Sequence, residues 1–200
     1  MQRTTTRKHD QTHQSHNGDV QDFILMDSHG RPVRLQSFLE RGPAVISFYR
    51  GGWCPYCNVE LREFQRVLPE IESLGGSLLA ISPELPYKAF ATEKKNKLTF
   101  SVLSDVRNVV AQRFDIVSQL SPDLLALYES SQHGREKTAG SKSANEFPIP
   151  STFVIDPRRA VRMACVEQDF SKHVAPSMAV KTLKRLRGRG RRGDRRVSQN

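Results

Sequence analysis

Apolar positions are nearly absent from residues 1–19, and patterning begins only at Asp22. Phe23-Ile24-Leu25 is a short apolar run and His29-Gly30 reads as a turn. Val33 and Leu35 then alternate about Arg34, which predicts a β-hairpin near a sheet edge. Gly42-Pro43 breaks the chain ahead of Ala44-Val45-Ile46-Ser47-Phe48-Tyr49, a nearly continuous apolar run with the character of a strand covered on both faces. Gly51-Gly52 ends it. From Cys57 onward Leu61, Phe64, Leu68 and Ile71 recur at spacings of three and four. That spacing predicts an amphipathic helix, kinked or interrupted by Pro69 and closed by Gly75-Gly76.

Ser77 to Ser82 is a second buried strand, followed by a helix over Pro86 to Lys97 with Tyr87, Phe90 and Ala91 on one side. Val102-Leu103 is a short strand, and helices are predicted near Asn108 to Phe114 and over Pro122 to Tyr128. Residues 130–146 are rich in Ser, Gly and Lys and predict an exposed loop. Thr152 to Ile155 and Val161 to Val166 form a hairpin across the Asp156-Pro157 turn. Met178, Leu183 and Leu186 carry helical spacing over Pro176 to Leu186, and GRGRRGDRR is too glycine-rich to continue that helix. The order of elements predicts an α/β fold: a central mixed sheet flanked by helices on both faces, with an N-terminal β-hairpin.

Charge refines the domain limits. Residues 181–200 carry nine Lys or Arg against one Asp, a net of +8, and residues 1–16 add a net of +2. These two ends account for the whole formal charge of +10, so residues 17–180 sum to zero. The expected organisation is a disordered leader over 1–19, one domain over 20–187 with an exposed loop at 130–146, and a basic disordered tail over 188–200. His9, His13 and His16 in the leader read as a solvated tail in preference to a metal site. The tail could lie along phosphate backbones, but it has no aromatic residue to stack on bases, and a solvated extension is the preferred reading.

Three cysteines, Cys54, Cys57 and Cys165, are too few and too unevenly spaced for a secreted disulfide scaffold. No apolar run is long enough to cross a bilayer, and the basic N-terminus has no apolar segment behind it, so a cytoplasmic protein is expected. Chemistry concentrates at Cys54-Pro55-Tyr56-Cys57, where a buried strand hands over to a helix. Unsatisfied N–H groups and the positive end of the helix dipole favour a thiolate there. Arg50 adds a positive charge, Trp53 covers one side of the pair, and Pro55 stiffens the turn. A zinc site would need a second close pair, which is missing. Cys165, between Ala164 and Val166, is expected to pack rather than react; His29 and His133 fall in turn or loop sequence.

The segment ISFYRGGWCPYCNVELREFQ resembles the active-site region of peroxiredoxin-like proteins of the alkyl hydroperoxide reductase/thiol-specific antioxidant family, within the thioredoxin superfamily. GDVQDFILMDSHGRPVRL, LLAISPE, FSVLSD and IPSTFVIDPRR resemble further parts of that family, so the likeness spans about residues 18–187. It implies a thioredoxin-like fold. Aligned on Phe48-Tyr49 and Glu60, the family's peroxidatic cysteine falls on Cys57, and Cys54 replaces a threonine; in the thioredoxin pattern Cys54 would attack and Cys57 resolve. Arg50 stands where the family usually has proline. The late-strand arginine that polarises peroxide falls on Pro150, which matches instead the cis-proline that thioredoxins place beside their cysteine pair. Thioredoxin's buried acid has no counterpart at Val45-Ile46-Ser47.

The resemblance implies a thiol-dependent peroxidase acting on hydrogen peroxide or organic hydroperoxides. Cys54 and Cys57 would cycle through a redox disulfide, recycled by a thioredoxin- or glutathione-type donor. No metal, flavin or haem cofactor is implied, and relatives often form homodimers. The rival reading is a thioredoxin-like protein disulfide reductase with Cys54 as nucleophile.

Overall fold

A computed structural model describes residues 19–131, 146–166 and 176–197. Residues 1–18, 132–145, 167–175 and 198–200 lie outside the described residues, and with them nearly all of the expected leader and loop and the end of the tail. His9, His13, His16 and His133 lie there too.

The hairpin forms from β1 (Ile24–Asp27) and β2 (Pro32–Arg34), with Leu25 opposite Val33. Leu35 does not extend it. It starts a short helix, α1 (Leu35–Leu39), whose first turn is held by the Gln36 N–H donating 3.0 Å to the Asp22 carboxylate. That anchor lies 14 residues upstream, beyond the reach of local pattern.

Strands β3 (Ala44–Phe48), β4 (Ser77–Ser82) and β5 (Ser101–Ser104) are parallel, connected through α2 (Pro55–Ser73) and α3 (Pro86–Asn96). After α4 (Val109–Arg113), β6 (Val117–Gln119) pairs with β7 (Glu146–Pro148) as a small separate sheet, with α5 (Pro122–Ser130) between them in the chain. Strand β8 (Ser151–Ile155) then runs antiparallel to β3, and β9 (Val161–Val166) antiparallel to β8. The main sheet has the order β2-β1-β5-β4-β3-β8-β9. The mixed sheet is the one its pattern predicts.

Alternate residues of the central strands feed two cores. Val45, Leu78, Ala80 and Val154 pack with Leu61, Phe64 and Ile71 of α2. Ala44, Ile46, Phe48, Leu79 and Phe153 pack with α1 and α4 on the other face. Burial on both faces is why β3 is apolar apart from Ser47, which is buried too.

Three further local expectations fail. Helix α2 runs through Pro69 unbroken. Proline removes one backbone donor, but Leu68 and Ile71 on either side stay buried in the core, and that packing outweighs the lost bond. Helix α3 turns the opposite way from its apolar pattern: Tyr87, Phe90 and Ala91 are exposed while Ala89, Thr92 and Asn96 are buried. The last helix, α6 (Pro176–Val197), does not stop at the glycines but continues through them. Ala179, Val180 and Leu183 anchor it to the core. A nucleated helix adds one bond per residue, so interspersed arginines, good helix formers, carry it past the glycines. The expected disordered tail is therefore helical as far as Val197.

Candidate active site

Strand β3 delivers the chain to the site through Tyr49 and Arg50, both buried. Gly51 and Gly52 then let the backbone pass where no side chain fits. Gly51 has φ +145°, and a Cβ on Gly52 would lie 2.0 Å from Thr92 Oγ1. Cys54 is the N-cap of α2, in extended conformation with φ −81° and ψ 115°, and Pro55 follows at the first helical position. The Cys54 sulfur thus sits where the first-turn N–H groups converge. Cys57 is one turn further on and also buried.

Cys54 and Cys57 are free cysteines, and their environments drive their titrations apart. The Cys54 thiol is lowered to about 6, first by a hydrogen bond from the Cys57 thiol, against the opposing effect of burial. The Cys57 backbone N–H and the Arg50 guanidinium lower it further. Cys57 is pushed well up by its hydrogen bond to Cys54, by burial, and by the charge on Cys54. These surroundings favour a thiolate on Cys54 over one on Cys57.

A polar network fixes this loop against α3. Asn58 Nδ2 donates to the carbonyls of Gly52 and Cys54 at 2.8 and 2.7 Å. Asn96 Nδ2 donates 2.6 Å to Asn58 Oδ1, and Arg62 Nη1 donates 2.8 Å to Asn96 Oδ1. The Gly52 N–H donates 3.0 Å to Glu84 Oε2, which also accepts from Thr92 Oγ1. These bonds explain the inverted face of α3: Thr92 and Asn96 are buried because they hold the cysteine loop.

Two buried acids join the site. Glu60, one turn beyond Cys57, is raised to about 8 by burial, then by Glu63 and by Cys54, with Arg50 opposing. Glu84, two residues beyond the end of β4, is raised to about 7 by burial, with the Gly52 N–H opposing. Sequence reasoning used Glu60 only to align the family resemblance and passed over Glu84, along with Asn58, Thr92 and Asn96. The signal for Glu60 was present: it falls on the buried stripe of α2 beside Cys57, Leu61 and Phe64.

Trp53 is buried against Tyr128 and Phe147, with ring centroids 5.1 and 5.5 Å away. Pro150 is buried just before β8, whose Ser151 pairs with Phe48. The peptide bonds of the described residues are all trans, so Pro150 does not supply the cis bond of the thioredoxin pattern. The Ile149 N–H donates 2.6 Å to the Ile116 carbonyl and holds this stretch extended into β8. Cys165, opposite Thr152 on β9, is half-buried against the core and apart from the dithiol pair in the chain.

The model of the AhpC/TSA family matches residues 17–164. The chain belongs to that family. The Mycobacterium tuberculosis protein Rv1608c, classed by its name with the peroxiredoxins, is 27% identical over 168 residues, covering 84% of this chain and 95% of that one. The crystal structure of peroxidoxin BcpB from the same organism superposes with a TM-score of 0.67 at 25% identity, over 84% of this chain and 96% of that one. The thiol-disulfide oxidoreductase ResA of Geobacillus thermodenitrificans is 30% identical over 160 residues, covering 76% of this chain and 72% of its own. The fold is that of the thioredoxin superfamily.

Proposed function

We propose that this protein is a thiol-dependent peroxidase in which Cys54 is the attacking sulfur and Cys57 the resolving one. The observation that carries the order is the place of Cys54 at the N-cap of α2, where a hydrogen bond from the Cys57 thiol, the Cys57 backbone N–H and Arg50 all stabilise a thiolate. The family supports peroxide as substrate, and its usual alignment supports the reverse order of cysteines.

The Cys54 thiolate attacks one oxygen of a hydroperoxide, the O–O bond breaks, and Cys54 becomes a sulfenic acid while an alkoxide or hydroxide leaves. Glu60, protonated at neutral pH, is the nearby group that gives that leaving oxygen its proton. The Glu60 carboxylate then takes the proton of Cys57, whose sulfur attacks Cys54 and displaces hydroxide, which leaves as water with a proton from solvent. A thioredoxin-type dithiol, or two glutathione-type monothiols in succession, returns two electrons by exchange and leaves as the corresponding disulfide.

Sulfenic acid trapping decides the order. After peroxide exposure, Cys57→Ser should carry the trapped adduct on Cys54, and Cys54→Ser should carry none. An adduct on Cys57 in Cys54→Ser would reverse the assignment, and unchanged peroxide consumption in both variants would sink the peroxidase reading.

The likeness to ResA favours a second reading, a protein disulfide reductase using the same Cys54 thiolate. Reduction of insulin disulfides without peroxide consumption would select it.

A further inference from the structure

Beside the cysteine pair lies a cavity of about 270 Å³ whose wall includes Arg50, Gln119, Ser121, Leu124, Phe147 and Ile149. Two of these residues carry unanswered polar groups. Arg50 is only 5% exposed, and its Nη1 has no hydrogen-bond partner among the described residues. Ser121 is the N-cap of α5, yet its Oγ makes no capping bond and is buried without a partner. Its hydroxyl is therefore available as a donor at a helix start whose first N–H groups have no intrahelical acceptor. Asp123, in the first turn of α5, is exposed and is not part of the cavity wall.

A buried guanidinium is costly without a counter-charge. In the dithiol state the Cys54 thiolate supplies one. When Cys54 and Cys57 join as a disulfide that charge disappears. We propose that this cavity is a subsite for a short-chain monocarboxylate, held by Arg50, Ser121 and the start of α5, which fills when the cysteines are a disulfide and is released when Cys54 is a thiolate. Arg presents a fork that suits a carboxylate, and Leu124, Phe147 and Ile149 accommodate a short apolar tail. Because coupling is reciprocal, the same anion shifts the dithiol–disulfide equilibrium toward the disulfide. The inference rests on the dithiol–disulfide cycle proposed above but requires no peroxide, so peroxidase activity and anion binding stand or fall separately.

Trp53 is the only tryptophan of the chain, and its ring is 5.5 Å from Phe147 in the cavity wall. Its fluorescence can follow sodium propionate, with sodium chloride at matched ionic strength as control, added to the disulfide and dithiol forms of the full chain. Saturable binding to the disulfide form, at least about tenfold tighter than to the dithiol form, is expected. Arg50→Met should abolish it and Ser121→Ala should weaken it. Equal affinity in both redox states, an equal response to chloride, or full retention in Ser121→Ala would overturn the proposal even if Arg50→Met does not fold. A kinetic arm separates the sources of the carboxylate. Faster reduction of the disulfide by 3-mercaptopropionate than by 2-mercaptoethanol, lost in Arg50→Met, assigns it to the thiol reductant. Equal rates, both slowed by propionate, assign it to a free anion.

Discussion

The chemistry of the two sulfurs is set by a single turn of backbone. Cys54 at the N-cap receives the Cys57 thiol and backbone N–H, whereas Cys57 inside the helix faces the charge it helps to stabilise. Thiolate absorbance near 240 nm should therefore titrate at about 6 in the native protein and vanish from that range in Cys54→Ser. Glu60 adds a second, alkaline limit. As pH rises past about 8 its carboxyl ionises and no longer donates a proton, so turnover should fall there. Glu60→Gln should be slower, by on the order of 10- to 100-fold, and should lose that alkaline limb.

The same carboxyl links stability to pH. In the unfolded chain Glu60 ionises near 4.5, and in the fold near 8. Stability is therefore fullest below about pH 4.5 as far as this group is concerned, declines through the window up to about 8, and stays low above it. Glu84 acts in the same sense between 4.5 and about 7. Denaturation of Glu60→Gln, compared at pH 5 and pH 9, should show a smaller loss at pH 9 than the native protein, by on the order of a few kcal/mol.

Among the elements, α3 is the one whose role differs most from its pattern. Tyr87, Phe90 and Ala91 face solvent, with Lys88 over the Tyr87 ring and Lys94 over the Phe90 ring. Thr92 and Asn96 are buried because they meet the cysteine loop. Asn96→Ala removes the donor to Asn58 and the acceptor of Arg62, leaving Asn58 Oδ1 buried without that donor. A loss of about 1–3 kcal/mol is expected in chemical denaturation, together with a higher Cys54 titration midpoint as Asn58 loses its fixed position. Hydrophobic periodicity found the helix but not its orientation. Two polar residues on one face read as a solvent side until a partner loop is known.

For the molecule as a whole, α6 divides into an anchored part and an extension. Ala179, Val180 and Leu183 are buried against the core, while Lys184, Arg185, Arg187 and Gly188 are exposed. Leu183→Ala should lower stability by about 2–5 kcal/mol, measured by denaturant unfolding. Removing residues 188–200 should leave both the unfolding midpoint and peroxide turnover unchanged. No helix among the described residues is long and apolar enough to cross a membrane.

The chain alone determined the hairpin, the apolar central strands, the mixed sheet and the strand–helix junction that carries the cysteine pair. Each of these is written in neighbouring residues, as alternation, helical period or a breaker. Only the tertiary structure decided that the surroundings lower the Cys54 thiol and raise that of Cys57, that Glu60 and Glu84 are buried acids, that α3 turns its polar face inward, and that Pro150 follows a trans bond. Those properties depend on burial and on partners far along the chain, such as Glu84 at 32 residues from Gly52 and Asn96 at 38 from Asn58. The field at an atom is the sum over whatever packs around it, and the chain brings those groups together only by folding.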